Sequence, residues 1–285
     1  MTDRTRIALL LAPALVILGG LFLAGLGLTL LRSLHYAPAL GQTLPDLSAY
    51  TAILASPGFL GSLALSLWIA TASTLIAAVL ALGAAMLLRQ TFPGRAAIAF
   101  LVQLNLTIPH IVGAIGLVYL LSQSGAFARL AFAAGLISGP QDFPALTQDP
   151  FAVGIITLYA WKEMPFITLI LLANLQTLGE DHEATARTLG ATRWQAFRHV
   201  LLPMLMPALA AASALVFAFA FGAYEVPLVL GAHAPKALPV LAWQSYTDTD
   251  LSTRPQALAM AVIIALIGAA VLFLYARLLG IRDAR

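Results

Sequence analysis

Three charged residues lie inside stretches of the chain that are otherwise strongly apolar: Lys162, Glu163 and Glu225. A charged side chain at the centre of a bilayer costs roughly 2.5–3.5 kcal/mol on insertion scales, so we expect all three to face protein or a watery cavity. Two carboxylates in such a cavity would suit a cationic solute. The other interpretation is structural, with Lys162 neutralising Glu163 or each charge pairing with a neighbouring helix. Both interpretations stay open.

Two uncharged polar residues complete the candidate lining of a solute pathway: Asn105 and Tyr224. Asn105 shares its apolar stretch with Pro109 and His110, which either interrupt the helix or bond a neighbouring one. The carboxylates lie near Pro165 and Pro227, and a proline breaks the helical hydrogen-bond ladder. We therefore expect free backbone carbonyls beside Glu163 and Glu225.

Catalytic and metal-binding constellations are absent from the sequence. The chain has no cysteine, and no two of its five histidines stand at metal-ligand spacing. The segment Ser122–Gly125 resembles a nucleophile turn but lacks a matching base. There is no G-x-x-x-x-G-K-[S/T] phosphate loop, so we expect neither an enzyme nor a nucleotide cofactor on this chain.

A polar segment, residues 180–203, separates two of the apolar stretches. Gly190 follows a helix-forming run and suits a left-handed C-terminal cap, because it has no Cβ to clash. Thr192 and Gln195 have capping-box spacing, which predicts the start of a second short helix. We expect that helix to lie across the membrane surface, although resting in the lipid headgroups alone would explain it too.

The second helix of this segment carries an apolar face formed by Trp194, Phe197 and Leu201 at helical spacing. Arg193 and Arg198 supply charge around that face. We expect Pro203 to end the helix and Pro207 to open the next apolar stretch, since proline is tolerated only in the first turn. A segment built this way in so apolar a chain is typical of a docking surface for a water-soluble partner.

The elements that must position these residues are membrane spans. Hydrophobic residues make up 61% of the 285 residues, charged residues 9%, and the mean hydropathy is +0.93, far from the roughly 25% charged content of a soluble domain. A span needs about 20 apolar residues. We predict an all-α, polytopic protein with one membrane domain over residues 1–285 and a polar loop over about 175–205. The six predicted spans cover about 7–31, 59–88, 96–121, 151–174, 206–231 and 255–280.

The arginines predict the orientation of these spans. Ten arginines lie near one end of the spans, and four basic residues near the other, which by the positive-inside rule places both termini in the cytoplasm. The ten are Arg4, Arg6, Arg89, Arg95, Arg187, Arg193, Arg198, Arg277, Arg282 and Arg285. The first span is too long for a cleavable signal and is expected to remain as an anchor. On the outer side, Ala126–Phe132 is mildly amphipathic and either forms an interfacial helix or packs as a loop.

The polar segment resembles the EAA loop of bacterial importer permeases of the ATP-binding-cassette type. The resemblance rests on the acidic start, the small residues, the spacing from Gly190 to Pro203 and the sequence Leu202-Pro203. The family's Glu usually stands six residues before the glycine, where this chain has Ala184, with Glu183 one residue earlier. Either Glu183 does the same task from its neighbouring position, or the loop relies on Arg187 and backbone contacts.

Two further stretches, Trp161–Phe166 and Phe221–Gly231, are similar to permeases of the polyamine, ferric-iron and thiamine branch. The resemblance implies a type I importer fold in the bacterial inner membrane. It also implies two cytoplasmic ATPase subunits that bind ATP and Mg, a second permease subunit, for which we favour a heterodimer, and an extracytoplasmic substrate-binding protein. Nucleic acid is not an expected partner.

These observations together predict a permease that forms half of a pathway for a small polar solute, with cations such as polyamines, thiamine or ferric iron as candidates, and that couples to a separate ATPase. The ATPase-coupling residues are expected to be Glu183, Arg187, Gly190, Arg193, Trp194, Phe197, Arg198 and Pro203. A secondary transporter is an alternative, but it often shows inverted repeats, and no internal symmetry is visible. A membrane enzyme would need convergent catalytic groups, which the scattered charges do not supply.

Overall fold

The computed structural model describes residues 3–36, 44–179 and 181–280, so Glu180, Arg282 and Arg285 lie outside the described residues. The described part of the chain is helical and contains no strand, which confirms the all-α prediction. Its α-helices are α1 (Asp3–Ser33), α2 (Ser48–Ala55), α3 (Phe59–Leu88), α4 (Arg95–Thr107), α5 (His110–Leu121), α6 (Ala126–Ala133), α7 (Val153–Leu178), α8 (Asp181–Thr188), α9 (Arg193–Ala196), α10 (Leu202–Gly222), α11 (Glu225–Leu230), α12 (Leu238–Thr247) and α13 (Arg254–Gly280).

Six helical stretches of the described chain are long and apolar enough to cross a membrane, as the composition predicts. Four agree with predicted spans to within a few residues, but the third and the fifth differ. The six stretches are Leu9–Ser33, Phe59–Leu88, His110–Ala133, Val153–Leu178, Arg193–Gly222 and Leu251–Arg277. The amphipathic stretch Ala126–Phe132 does form a helix, α6.

The predicted third span, 96–121, is interrupted between α4 and α5. Ile108 is extended, with φ −79° and ψ 124°, and Pro109 follows it before α5 begins. A residue before proline is disfavoured in the helical region because the proline ring clashes with its backbone. The span predicted as one helix is therefore two, and α5 begins at His110.

The predicted fifth span, 206–231, was wrong at both ends. Pro203 does not end the preceding helix, because α9 continues through a π-helical turn, Phe197–Leu201, directly into α10. In that turn the Leu202 amide donates to the Phe197 carbonyl, five residues earlier. A π turn widens the ladder and so accommodates a proline that has no amide hydrogen to donate. The expected surface helix is the first part of a long one, and Pro207 lies inside α10.

The far end of α10 is also set by a proline. The helix stops at Gly222, Ala223 is extended with ψ 134°, and α11 begins at Glu225. A proline ring clashes with the carbonyl four residues before it. For Pro227 that residue is Ala223, which explains where the break falls.

Contacts between residues divide the chain into two compact units, Met1–Leu60 with Leu241–Leu266 and Gly61–Val240 with Ile267–Arg285. In the first unit, the Ser33 hydroxyl lies 2.8 Å from the Tyr50 hydroxyl, and the Asp46 amide donates to the Leu34 carbonyl at 2.9 Å. The apolar side chains of α1 are exposed, as expected of a helix in lipid.

The core of the second unit is built from rows of residues four apart on three helices. Ala77, Ala81 and Ala85 of α3 are fully buried beside Ile167, Leu171 and Leu175 of α7 and Leu205, Ala212 and Val216 of α10. Small residues at such spacing let membrane helices approach closely. This core packs α3, α7 and α10 together; α7 carries Lys162 and Glu163, and α10 continues from the polar segment.

Candidate functional site

The polar segment turns at Gly190, as the sequence predicts. Gly190 has φ +91°, a left-handed conformation that side chains with a Cβ rarely adopt. Its amide donates to the Arg187 carbonyl at 3.0 Å, and the Ala191 amide donates to the Ala186 carbonyl at 3.1 Å. These two bonds form a Schellman cap that satisfies the last carbonyls of α8. The chain leaves α8 in a fixed direction.

The second helix of the segment begins with the predicted capping box. The Gln195 amide donates to the Thr192 hydroxyl at 3.2 Å, and the Thr192 amide donates to the Gln195 side-chain oxygen at 2.8 Å. Both contacts satisfy amides that would otherwise lack a partner at the helix start. The two helices and the turn are therefore held by local hydrogen bonds.

The predicted apolar face of this helix is divided between core and surface. Leu201 is buried, Phe197 is half-buried against the core of the second unit, and Trp194 is 64% exposed. The rings of Trp194 and Phe197 pack with centroids 5.5 Å apart. Phe197 therefore packs between Trp194 and the core, whereas the sequence predicted that both rings contact the partner protein.

Sequence reasoning missed Leu189, which is 85% exposed on the turn before Gly190. A leucine beside a predicted helix end is normally assigned to the core, so its exposure could not be predicted from residue type. The left-handed turn directs it outward together with Trp194. Two large apolar side chains thus stand exposed on a segment that is otherwise polar, which is unusual unless something covers them.

Glu183 forms an ion pair with Arg89, at the end of α3. Both side chains are partly buried, at 21% and 29% exposure. Of the two interpretations open from sequence, this contact favours Glu183 acting from its own position, since it ties α8 to α3. The remaining candidate side chains Arg187, Arg193, Arg198 and Pro203 are exposed along the segment.

Inside the apolar part, Lys162 is buried and its ammonium is held by backbone carbonyls. Nζ donates to the carbonyl of Ile108 at 2.6 Å and also to the carbonyl of Asn105. Pro109 has no amide hydrogen to donate to Asn105, four residues earlier; the Ile108 amide donates to that carbonyl at 3.3 Å, which leaves one lone pair for a second donor. Lys162 of α7 supplies it at the break between α4 and α5.

The same two helices make a reciprocal contact. The Asn105 side-chain amide donates to the carbonyl of Trp161, which has lost its helical partner because Pro165 stands four residues later. The helix α7 continues through Pro165, and the carbonyl that the sequence predicted to be free there is hydrogen-bonded instead. A neighbouring helix satisfies the freed carbonyl, which is how membrane proteins tolerate proline within a span. We call Asn105, Pro109, Lys162 and Pro165 the proline clasp.

Glu163, next to Lys162, is engaged with His110 rather than free. The His110 Nε2 lies 2.9 Å from a carboxylate oxygen of Glu163, and the Glu163 side chain is 12% exposed. The imidazole ring packs against Phe219 of α10, with centroids 5.0 Å apart. The site thus joins the start of α5 to α7 and α10.

The other two pathway candidates, Tyr224 and Glu225, lie at the break between α10 and α11 and are exposed. The described residues hold no group of three or more His, Cys, Asp or Glu that would bind a metal ion. The polar residues within the apolar helices thus lie in two places: the buried cluster around Lys162 and Glu163, and the exposed break between α10 and α11.

Comparison with known proteins agrees with this arrangement. Residues 73–280 match the family of binding-protein-dependent transport system inner membrane components. The chain belongs to this family. It is 30% identical over 215 residues to the inner membrane ABC transporter permease protein YcjO of Escherichia coli, covering 73% of each chain.

Two further relatives carry the names of solutes. A probable molybdenum ABC transporter permease of Haloferax volcanii is 34% identical over 203 residues, covering 71% of this chain and 68% of the relative. The sulfate transport system permease protein CysT of Escherichia coli is 29% identical over 179 residues, covering 63% and 61%.

The fold matches a solved importer. A chain of a bacterial ABC transporter involved in the import of the acidic polysaccharide alginate superposes with a TM-score of 0.77 at 18% identity, covering 97% of this chain and 96% of that one. The protein is therefore a multi-pass inner-membrane permease subunit of a type I ATP-binding-cassette importer, and ATP hydrolysis belongs to a separate subunit.

Proposed function

We propose that residues 181–203 dock onto the cytoplasmic ATPase and that the membrane part forms half of the solute pathway. The observation that carries the proposal is the joint exposure of Leu189 and Trp194, 85% and 64%, on a segment whose backbone is fixed by two capping motifs. Exposed aromatic and aliphatic anchors on a rigid frame are typical of the centre of a protein interface.

The segment is connected to the membrane part in a way that transmits displacement. α9 continues through the π turn into α10, and Leu201 and Leu205 anchor that helix in the core. The Glu183–Arg89 pair ties α8 to the end of α3. A partner that moves Leu189 and Trp194 would therefore move α3 and α10, which is a coupling with named structural elements at each end.

The assembly follows from the same proposal. Two cytoplasmic ATPase subunits, binding ATP and Mg, would dock below two permease subunits, both termini of this chain would lie in the cytoplasm, and a substrate-binding protein would deliver solute from outside. We infer a related, separately encoded second permease. The subunit masses in the purified complex test this, and two copies of the present chain would overturn it.

For the solute, we propose a small oxyanion in place of the cation expected from the carboxylates. The support is twofold. Relatives named for molybdenum and sulfate cover most of the chain, and Glu163 is occupied by His110 and lies beside the ammonium of Lys162. Uptake of labelled sulfate, molybdate and putrescine by cells carrying the intact transporter would decide, and putrescine uptake alone would overturn the oxyanion.

Copurification tests the docking role. The full chain, extracted from its native membrane, should bring a separate ATPase subunit with it, and Leu189→Ser should reduce that yield about fivefold, since interface anchors contribute on the order of 1 kcal/mol or more. The matched control is Leu136→Ser, a leucine 77% exposed in the loop after α6. Equal ATPase yields from both variants would contradict the proposal.

A further inference from the structure

A cleft of about 710 Å³ opens beside α8, at the end of α3 and α7. Three guanidinium groups line it, those of Arg89, Arg95 and Arg187, together with one carboxylate, Glu183. The docking proposal uses the exposed apolar side chains of the segment and does not account for this concentration of positive charge.

The cleft carries an excess of positive charge. Glu183 pairs with Arg89, so it neutralises one arginine and leaves the charges of Arg95 and Arg187 uncompensated by a lining carboxylate. The Arg95 side chain is fixed, because its Nε donates to the carbonyl of Leu88 at 2.7 Å. That bond uses one of the five N–H donors of the guanidinium and leaves the others for a ligand.

The wall of the cleft is apolar on its membrane side. Leu172 and Leu175, in the last two turns of the spanning helix α7, line it together with the arginines. Arg89 directly follows the spanning helix α3, and Arg95 opens the apolar helix α4. Charged groups at the ends of spans above an apolar wall place the cleft at the depth of lipid headgroups.

We propose that this cleft binds an anionic phospholipid, with the phosphodiester at Arg95 and Arg187 and the start of an acyl chain beside the half-buried Leu172. Arginine forks bind phosphate oxygens bidentately. Basic pockets between spanning helices are suited to anionic headgroups. A soluble phosphate would also satisfy the arginines, but these arginines lie at the ends of apolar helices, at headgroup depth, and for this reason we commit to the lipid.

Native mass spectrometry of the full chain, extracted in mild detergent from its own membrane, tests the site. Phosphatidylglycerol and phosphatidylcholine with the same acyl chains are added in equal amounts. We expect selective retention of phosphatidylglycerol and about a fivefold loss of that selectivity in Arg95→Gln, because each basic residue near an anionic lipid contributes on the order of 1 kcal/mol. Arg95→Lys keeps the charge and should retain most of the selectivity.

The matched control is Arg129→Gln on the outer side, since the Arg129 Nε also donates to a backbone carbonyl, that of Ser124 at 3.0 Å. It should retain phosphatidylglycerol as the unmodified chain does. Equal loss in both variants would overturn the site. So would displacement of the lipid by millimolar inorganic phosphate or glycerol phosphate, which would identify a site for a soluble anion.

The outcome is separable from ATPase docking. Arg95 lies outside residues 181–203, so Arg95→Gln should leave ATPase copurification unchanged while lipid selectivity falls. If Arg95→Gln instead lowers the ATPase yield and leaves lipid retention intact, the cleft is a protein contact and the lipid proposal is lost.

Discussion

The segment 181–203 and the proline clasp handle polarity in opposite ways. In the segment, hydrogen bonds between residues close in sequence fix the backbone, and two large apolar side chains, Leu189 and Trp194, remain exposed. In the clasp, hydrogen bonds between residues more than 50 positions apart satisfy buried polar groups. The backbone of the first region is fixed but two of its apolar side chains stay exposed, whereas in the second region the carbonyls freed by proline find donors within the chain.

Because of this difference, substitutions in the clasp should lower the stability of the fold, and substitutions in the segment should weaken association with a partner. A change in the clasp leaves a buried carbonyl or charge without a partner, which costs folding free energy. A change in the segment removes a contact that exists only with another protein. Stability measurements and association measurements should therefore respond to different residues.

The largest effect is expected for Lys162→Met. It removes the donor of two carbonyls, those of Asn105 and Ile108, in a buried environment, and should lower the free energy of unfolding by about 3 kcal/mol. Equilibrium unfolding in sodium dodecyl sulfate measures it. Lys236→Met, at the only other lysine of the sequence, should shift stability much less, and equal shifts would remove the distinction between the regions.

Gly190→Pro should come next and act on uptake. Proline cannot adopt the φ of +91° at this position, and it lacks the amide that donates to Arg187. We expect uptake to fall roughly thirtyfold, corresponding to about 2 kcal/mol. Gly135→Pro is the matched control, because Gly135 caps α6 with φ +70° and an equivalent bond to Phe132 at 2.9 Å. A comparable fall in that variant would show that any broken cap disables the protein.

Trp194→Ala should weaken association with the ATPase about tenfold without changing the unfolding free energy, since the ring is exposed in the isolated chain. Phe197→Ala should do the reverse and destabilise the fold by about 1–2 kcal/mol, because that ring packs on the core. Binding of purified ATPase to each variant, measured beside its unfolding curve, tests the pair. If both rings affected only stability, Trp194 would not be a contact residue.

The smallest effects are expected from the carboxylates. Glu163→Gln weakens the contact with His110 and should cost about 1 kcal/mol of stability. Glu225→Gln alters an exposed group and should leave oxyanion uptake within about threefold, the equivalent of less than 1 kcal/mol. Initial rates of labelled molybdate uptake check this, and a loss of uptake larger than tenfold in Glu225→Gln would return the argument to a cationic solute.

Local signals in the sequence predicted four of the six spans and the two capping motifs of the segment. A span is specified by the composition of about 20 consecutive residues, and the turn at Gly190 and the capping box at Thr192 each depend on residues within five positions. These features do not depend on which helices pack against each other, so each can be predicted from its own stretch of sequence.

The features that sequence reasoning missed depend on neighbours. A free backbone carbonyl was expected near Pro165, but the amide of Asn105 on another helix satisfies it. Pro203 was expected to end a helix, but the π turn carries the chain past it. Leu189 is exposed because the chain turns away from α8 at Gly190. From its hydrophobicity alone, Leu189 would be assigned to the core.

The proline clasp also restricts how this sequence can change over evolutionary time. Replacing Pro109 by another residue would offer the Asn105 carbonyl a further amide donor in its own helix, in competition with Lys162. Replacing Pro165 would likewise give the Trp161 carbonyl a helical partner and leave the Asn105 amide in excess. Substitutions at positions 105, 109, 162 and 165 should therefore be inherited as linked sets, with single replacements rare among descendants of this chain.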